Sequence, residues 1–333
     1  MSDPKVHHYV PRFYLRGFAD TNDRLAVRER SGRTYVTSTK NVMARSGLFS
    51  LEGAVLSSEH TLADIEAMVS EVIRDLREGI LPRSGTSERA TLAIFVALQM
   101  ARINIIPKLD LLLDLWCEHG SLELTTQDMR THLTPRFGFT PSEAELDAAK
   151  DLAYIWGKAS QTPDDMKRFM LRLMFDSIRE ITPLLEARQW SLEASKEKKF
   201  ITSDRPVVLW NPPTREDSYL GIGIAKTEEI WFPVDPSRIL ILRTGGSELI
   251  RRIGPERVRA TNEHIARHCT ERIVTHPEGL KALADYALAE RRPTIRFNRG
   301  PAIDSISGAE LGHEILHLWA PIRDIPDDME AGS

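Results

Sequence analysis

At 333 residues, with 41% hydrophobic content and a formal charge of −4, the chain carries enough apolar material for one large domain or two ordinary ones, which excludes global disorder. The acidic balance provides no whole-molecule attraction to nucleic acid or to an anionic membrane, so such a contact has to come from a local patch. The longest apolar run, Leu92 to Leu98, falls far short of the ~20 residues that cross a bilayer, so no membrane partner is expected.

The opening Met-Ser-Asp-Pro-Lys lacks the apolar core of a secretory signal, and Cys117 and Cys269 are too far apart in sequence to suggest a disulfide framework or a thiolate metal site. A cytoplasmic protein with reduced thiols is the expectation. The densest stretch follows at once, His7-His8-Tyr9-Val10-Pro11-Arg12-Phe13-Tyr14-Leu15-Arg16-Gly17-Phe18. Pro11 disfavours a helix interior and biases Val10 to extended backbone, so His8 and Val10 are expected on one side of a short strand and His7 and Tyr9 on the other. Residues 25–30 and 34–39 read as a β-hairpin turning at Ser31-Gly32.

From Ser57 to Gln189 the apolar period becomes helical. Leu62, Ile65, Val69, Val72 and Leu76 form one stripe, closed by Gly79. A second helix is expected from Ser87 to Pro107 and a third from Leu109 to Trp116. Thr140-Pro141-Ser142-Glu143 and Thr162-Pro163-Asp164-Asp165 are helix starts, the latter helix running to about Ile181 and stopping or kinking before Pro183. Short strands then dominate: 190–194, 200–202, 207–210, 219–224, 230–234 and 239–242. Two helices, 255–275 and 278–291, and a last strand at 294–297 complete the pattern. The expected fold class is α+β, a mainly helical lobe (54–188) inserted between an N-terminal strand and hairpin (1–53) and a β-rich half (189–300), with a C-terminal extension (301–333).

Polar residues on stripes that periodicity buries are the site candidates, because an unpaired buried polar group costs free energy. Glu59 and Glu66 share a face of the first helix, Gln99 falls in line with Leu92, Phe95, Val96 and Ile103, Arg102 lies one step around, and Asn262 interrupts the stripe of Val258, Ile265 and Cys269. One reading is a buried network such as Glu66 with Arg102. The other places His8, Glu59 or Glu66, and Asp204 around a metal or a scissile bond, with Gln99 and Arg102 on an anionic substrate. Asp204, after the strand-like Phe200-Ile-Thr, also fits a turn in which it bonds the following backbone. Arg251, Arg252, Arg257 and Arg259, close to Arg267, form a basic cluster that could hold phosphates or lie solvated, and His264 and His268 read as a solvated helix face.

His7-His8-Tyr9-Val10-Pro11 with Tyr14-Leu15 and Phe18, followed by Phe200-Ile-Thr-Ser203-Asp204-Arg-Pro206-Val and Pro233, resembles the bacterial family catalogued as domain of unknown function 4238, over roughly residues 5 to 275. That family has no assigned function, so the resemblance points to the two motifs and implies no reaction. The histidine pair also resembles the His-His-x-x-Pro strand of ββα-metal nucleases, which implies a histidine general base beside a divalent cation. Those enzymes add an asparagine and a further histidine on a following helix, where this chain offers only Asn41 and His60.

His313-Glu314-Ile315-Leu316-His317 matches the zinc-hydrolase pattern H-E-x-x-H, which on a helix would put both imidazoles on one face. Gly308, Gly312 and Pro321 argue instead for a terminal segment anchored by Leu311, Ile315 and Leu318. The functional expectation is a metal-assisted phosphodiester hydrolase acting on nucleic acid, with His8, Arg102 and Gln99 catalytic. Glu59, Glu66 and Asp204 would hold magnesium or manganese, ahead of zinc. The alternatives are a non-enzymatic binding or scaffold protein and a zinc-dependent hydrolase built on His313, Glu314 and His317.

Overall fold

The computed structural model describes residues 6–46, 58–115, 126–127, 130, 140, 142–143, 146, 163–197, 199–212, 224–225, 227–288, 296–303 and 310–319. The fold is mixed α+β. The chain divides into two compact units, one formed by Met1–Ile105, Leu171–Ser218 and Ile222–Arg292, the other by Ile106–Met170, Tyr219–Gly221 and Pro293–Ser333. The expected helical stretch 54–188 falls partly in each unit.

Within the first unit, β1 (Val6–His8) gives way at Pro11 to a single helical turn, α1 (Arg12–Leu15), which Pro11 caps with φ −60° and ψ 139°. Val10 therefore leaves the strand, contrary to the alternation expected for residues 7–10. The missing N–H of Pro11 is harmless just ahead of a helix, and its carbonyl accepts from Tyr14 and Leu15 at 3.1 Å. The hairpin is as its sequence indicates: β2 (Arg24–Glu29) and β3 (Thr34–Ser38) pair antiparallel, with Gly32 at φ +88°, a conformation only glycine adopts without strain. β4 (Ala44–Ser46) pairs with β1.

Helix α2 (Ser58–Arg77) buries Leu62, Val69, Val72 and Leu76 of the stripe read from its period, leaves Ile65 half-buried and adds Ile73. Helix α3 (Ser87–Leu115) is continuous where two helices were expected, and α4 (Pro163–Glu186) likewise runs on to Glu186 with Pro183 inside it. Proline removes one hydrogen bond from a helix, a penalty that a long, packed helix absorbs. Leu146 N–H donates to Ser142 O, one helical turn; the rest of the expected 140s helix lies outside the described residues, as does most of the strand at 219–224.

Two sheets organise this unit among the described residues. The larger has the order β10-β5-β9-β8-β7, where β5 is Gln189–Ala194, β7 Val208–Trp210, β8 Glu229–Asp235, β9 Arg238–Arg243 and β10 Leu249–Arg252. Pairing is antiparallel except between β10 and β5. Every residue of β8 is buried. The smaller sheet, β3-β2-β11-β6, joins the N-terminal hairpin to β11 (Arg272–Thr275) and β6 (Thr202–Ser203) from the second half of the chain.

Helix α5 (Pro255–His268) ends seven residues before the expected stop, and the Arg272–Thr275 stretch becomes β11. Of the helix expected over 278–291, the described part holds the short α6 (Leu280–Leu283), which packs against Ile265, Cys269 and Ile273 in one core cluster. In the second unit, β12 (Arg296–Ile303) and β13 (Glu310–Trp319) form an antiparallel pair. No helix among the described residues is long and apolar enough to cross a membrane.

The first unit is knotted together at Tyr14, which is fully buried on α1. Its hydroxyl donates to Pro233 O at 2.7 Å and lies 2.7 Å from Thr202 Oγ1, so one phenol links α1, β8 and β6. Its ring stacks on Phe232 at 5.1 Å, while Phe13 meets Phe95 of α3 at 5.4 Å. Arg77 at the end of α2 closes the joint, donating to Tyr14 O at 3.0 Å and Val234 O at 3.3 Å.

Candidate functional site

His8 ends β1, and its ring is fixed by the segment that follows β3. Nε2 lies 3.3 Å from the carbonyl of Thr39, so in the neutral ring Nε2 carries the hydrogen and Nδ1 the lone pair. Thr39 is buried and itself held: its hydroxyl donates to Asp23 Oδ1 at 2.8 Å and accepts from Arg12 Nε at 3.0 Å. Arg12 Nη2 reaches Asp23 Oδ2 at 2.5 Å. His8, Thr39, Asp23 and Arg12 thus form one fixed platform, for which Asp23 takes up the left-handed φ of 61°.

Burial lowers the His8 pKa, the Thr39 carbonyl opposes that, and the positive Arg12 lowers it further, leaving it below the ordinary imidazole value. The imidazole is therefore mainly neutral at neutral pH. Asp23 titrates low: burial pushes its carboxyl up, but the bonds from Arg12 and Thr39 and the charge of Arg12 outweigh it.

Three of the expected site residues gather on α2 and α3. Arg102, 1% exposed, donates to Glu66 Oε1 at 2.9 Å. Burial lowers the pKa of this guanidinium and Glu66 sustains its charge. Gln99, one helical turn before Arg102, is also 1% exposed, and neither its Oε1 nor its Nε2 has a hydrogen-bond partner among the described residues. Such an amide costs ~1–3 kcal/mol of desolvation unless a polar group answers it. Glu66 acts electrostatically on His8 as well, so His8, Glu66 and Arg102 belong to one neighbourhood. Because Arg102 is buried, it holds Glu66 in place rather than presenting a guanidinium to a substrate.

Sequence reading overlooked Arg12, the cation that the platform brings to His8 with 29% of its side chain exposed. Its position four residues after His8 in the same motif was the available signal.

Asp204 has different partners. Oδ1 accepts from the Thr270 N–H at 2.9 Å and Oδ2 from the Glu271 N–H at 2.5 Å, so the carboxylate fastens the turn between α5 and β11 to the end of β6. The turn expected at Asp204 is made by Ser203 instead, whose hydroxyl accepts from Arg205 N at 3.0 Å and donates to Arg205 O at 2.8 Å. Complete burial raises the Asp204 pKa to about 6, against the opposing pull of the two N–H groups and Arg205. Beside it, the Cys269 thiol is pushed up to about 12, chiefly by burial and then by the Asp204 charge.

The expected metal set of Glu59, Glu66 and Asp204 is only partly described. Glu66 is engaged by Arg102, both Asp204 oxygens are taken by backbone donors, and the side chain of Glu59 lies outside the described residues. Among the described residues no three His, Cys, Asp or Glu side chains are grouped to hold a cation. His313, Glu314 and His317 lie on β13 rather than on a helix. Residues four apart in a strand share a face but stand ~13 Å apart, too far for both to ligate one zinc at ~2 Å.

Two further expectations about α5 are settled by its contacts. Asn262 is a satisfied structural residue, accepting from Ile201 N at 3.1 Å and donating to Lys199 O at 2.8 Å and Tyr286 Oη at 2.9 Å. His264 and His268 are packed rather than solvated. His264 bonds Leu209 O at 2.9 Å and meets the Trp231 ring edge-on at 5.0 Å, while His268 Nδ1 lies 2.8 Å from His264 O.

Compared with known proteins, residues 6–279 match the model of one family, described as protein of unknown function (DUF4238). No curated protein and no solved structure matches the chain.

Proposed function

We propose a reaction for this chain, which belongs to the DUF4238 family of proteins of unknown function: it hydrolyses phosphodiester bonds of nucleic acid, with His8 as the general base. The observation that carries the reading is the fixed, half-buried, neutral His8 ring, whose Nε2 is turned to Thr39 O and whose Nδ1 keeps a lone pair, with the partly exposed Arg12 cation beside it. A general base works best when its pKa lies at or below the working pH and a third group orients it, as Thr39 orients this ring. Nδ1 takes the proton of the attacking hydroxyl or water. Arg12, fixed by Asp23 and Thr39, faces the phosphate and its developing charge. Glu66 and Arg102 are positioning residues, and Gln99, as buried as Arg102, is given no substrate contact. The roles above are written for the side chains alone, with Glu66 bonded by Arg102 and Asp204 by two backbone N–H groups.

The test is incubation of the full chain with labelled DNA and RNA, in chelator and with magnesium, manganese or zinc, comparing wild type with His8→Ala. Cleavage by the wild type, reduced at least a hundredfold in the variant, is expected. Equal product from both proteins removes His8 from catalysis. No product under any condition favours the non-enzymatic binding alternative, which the engagement of Glu66 and Asp204 in internal contacts supports.

A further inference from the structure

A second charged cluster, made almost entirely of residues outside the two family-like motifs, lies on the larger sheet. Glu193 of β5 has no exposed side-chain surface, and three arginines converge on it from β9, β10 and the first turn of α5. Arg243 Nη2 reaches Glu193 Oε1 at 2.8 Å, Arg251 Nε reaches the same oxygen at 3.1 Å, and Arg257 Nε reaches Oε2 at 3.5 Å. Glu229 of β8 is the second acceptor, bonded by Arg243 Nε at 2.7 Å, Arg257 Nη2 at 2.9 Å and Trp231 Nε1 at 2.6 Å. Burial pushes the Glu193 carboxyl up, but the bonds from Arg251 and Arg243 and the charge of Arg257 outweigh it and hold the group ionised, below the ordinary carboxylate range.

Two features separate this cluster from an internal ion-pair network that merely closes on itself. The first is charge: three guanidiniums face two carboxylates, which leaves one positive charge over. The nearby Glu248 does not cancel it, because its carboxylate is engaged by Arg89. The second is geometry. Arg243 spends all three of its nitrogens on Glu193, Glu229 and Ser191, but Arg251 and Arg257 each spend only Nε and Nη2, leaving both Nη1 groups without a protein partner among the described residues. Those two side chains, 48% and 30% exposed, line an open cavity of ≈ 460 Å³ together with Ser247 and the Gly246 turn. Gly246 has φ +103°, so the rim takes a path that a side chain would strain. The ring of Trp231, 4.9 Å beneath the Arg257 guanidinium, fixes that cation from below.

We propose that this cavity is an oxyanion site for one phosphate group, bound between the Nη1 edges of Arg251 and Arg257 with Ser247 as a third donor. Two guanidinium edges meeting from different elements suit the several oxygens of a phosphate better than the planar pair of a carboxylate. The single excess charge matches the one negative charge of a phosphodiester or of singly ionised phosphate. Glu193 and Glu229 act as internal counterions that hold the arginines in place before the ligand arrives, so little ordering cost remains at binding.

Titration calorimetry of the full chain with inorganic phosphate, a short single-stranded oligodeoxynucleotide and acetate tests the site. Saturable binding of phosphate, of the oligonucleotide or of both is expected, and which one binds tells whether the group is free or part of a nucleic acid backbone. Arg251→Gln should weaken it about tenfold or more. Arg251→Lys, which keeps the charge beside Glu193 but loses the second donor edge, should weaken it several-fold with folding intact. Absence of saturable binding to either probe, acetate binding as tightly as phosphate, or unchanged binding in both Arg251→Lys and Ser247→Ala overturns the proposal.

Discussion

Gly17 shows how a single missing side chain fixes the N-terminal joint. A Cβ at this position would come within 2.1 Å of Arg77 Nη2 and 2.5 Å of its Cζ, the end that holds Tyr14 O and Val234 O. Arg77 can swing away only by giving up both carbonyls. Gly17→Ala should therefore lower stability by about 1–3 kcal/mol, read from urea unfolding. In an Arg77→Met background the same change should cost less than about 0.5 kcal/mol, since the two sites act through one contact. Equal penalties in both backgrounds would show that the strain lies elsewhere. Residues of this kind are hard to read from sequence, because Gly17 looks like any turn glycine until Arg77 is placed against it. Gln99 and Asn262 illustrate the same limit. Both interrupt apolar stripes in the same way, yet among the described residues Asn262 finds three partners and Gln99 none.

Elements with a clean period were legible, and elements whose pairing is long-range were not. The stripe of α2 and the β2–β3 hairpin follow from spacing and turn chemistry alone. The end of α5 was overrun because Ile265, Cys269 and Ile273 repeat every four residues, which a helix satisfies. The β-branched Ile273-Val274-Thr275 instead finds two strand partners, β2 and β6, from distant parts of the chain. The same principle removes the zinc-like motif, since H-E-x-x-H has its meaning only on a helix and residues 310–319 pair as a strand. Asp204 is the fastening between these elements, and its titration can be seen in stability. Its folded pKa of about 6 lies above the ordinary 3.8, so the folded chain binds a proton more tightly than the unfolded one between those values. The contribution favours folding below about pH 4 and is lost as pH rises through 6, by up to ~3 kcal/mol for a shift of about two units. Urea unfolding at several pH values from 4.5 to 7.5 should show this loss in wild type and not in Asp204→Asn; parallel curves would contradict it.

At the scale of the whole molecule, the two motifs that mark the family meet through Tyr14, which links the N-terminal segment to Thr202 and Pro233. Much of what those motifs share is therefore the joint of the first unit. In the proposed reaction the chemistry falls to His8 and Arg12. The sequence pointed to His8, Glu66, Arg102 and Asp204 as one group, of which the structure brings the first three into one neighbourhood. Sequence alone did not show that Asp204 fastens the distant turn at Thr270 and Glu271 rather than its own, or that Arg12 replaces Arg102 as the accessible cation, because burial and partner choice depend on how the elements pack. The most direct measurement is the rate of oligonucleotide cleavage by the full chain against pH, for wild type and His8→Gln. A rate that rises with pH to a midpoint below 6.5, with that limb absent from His8→Gln, is the predicted result. A midpoint above 6.5, or the same limb in both proteins, would contradict the assignment of His8 as the general base.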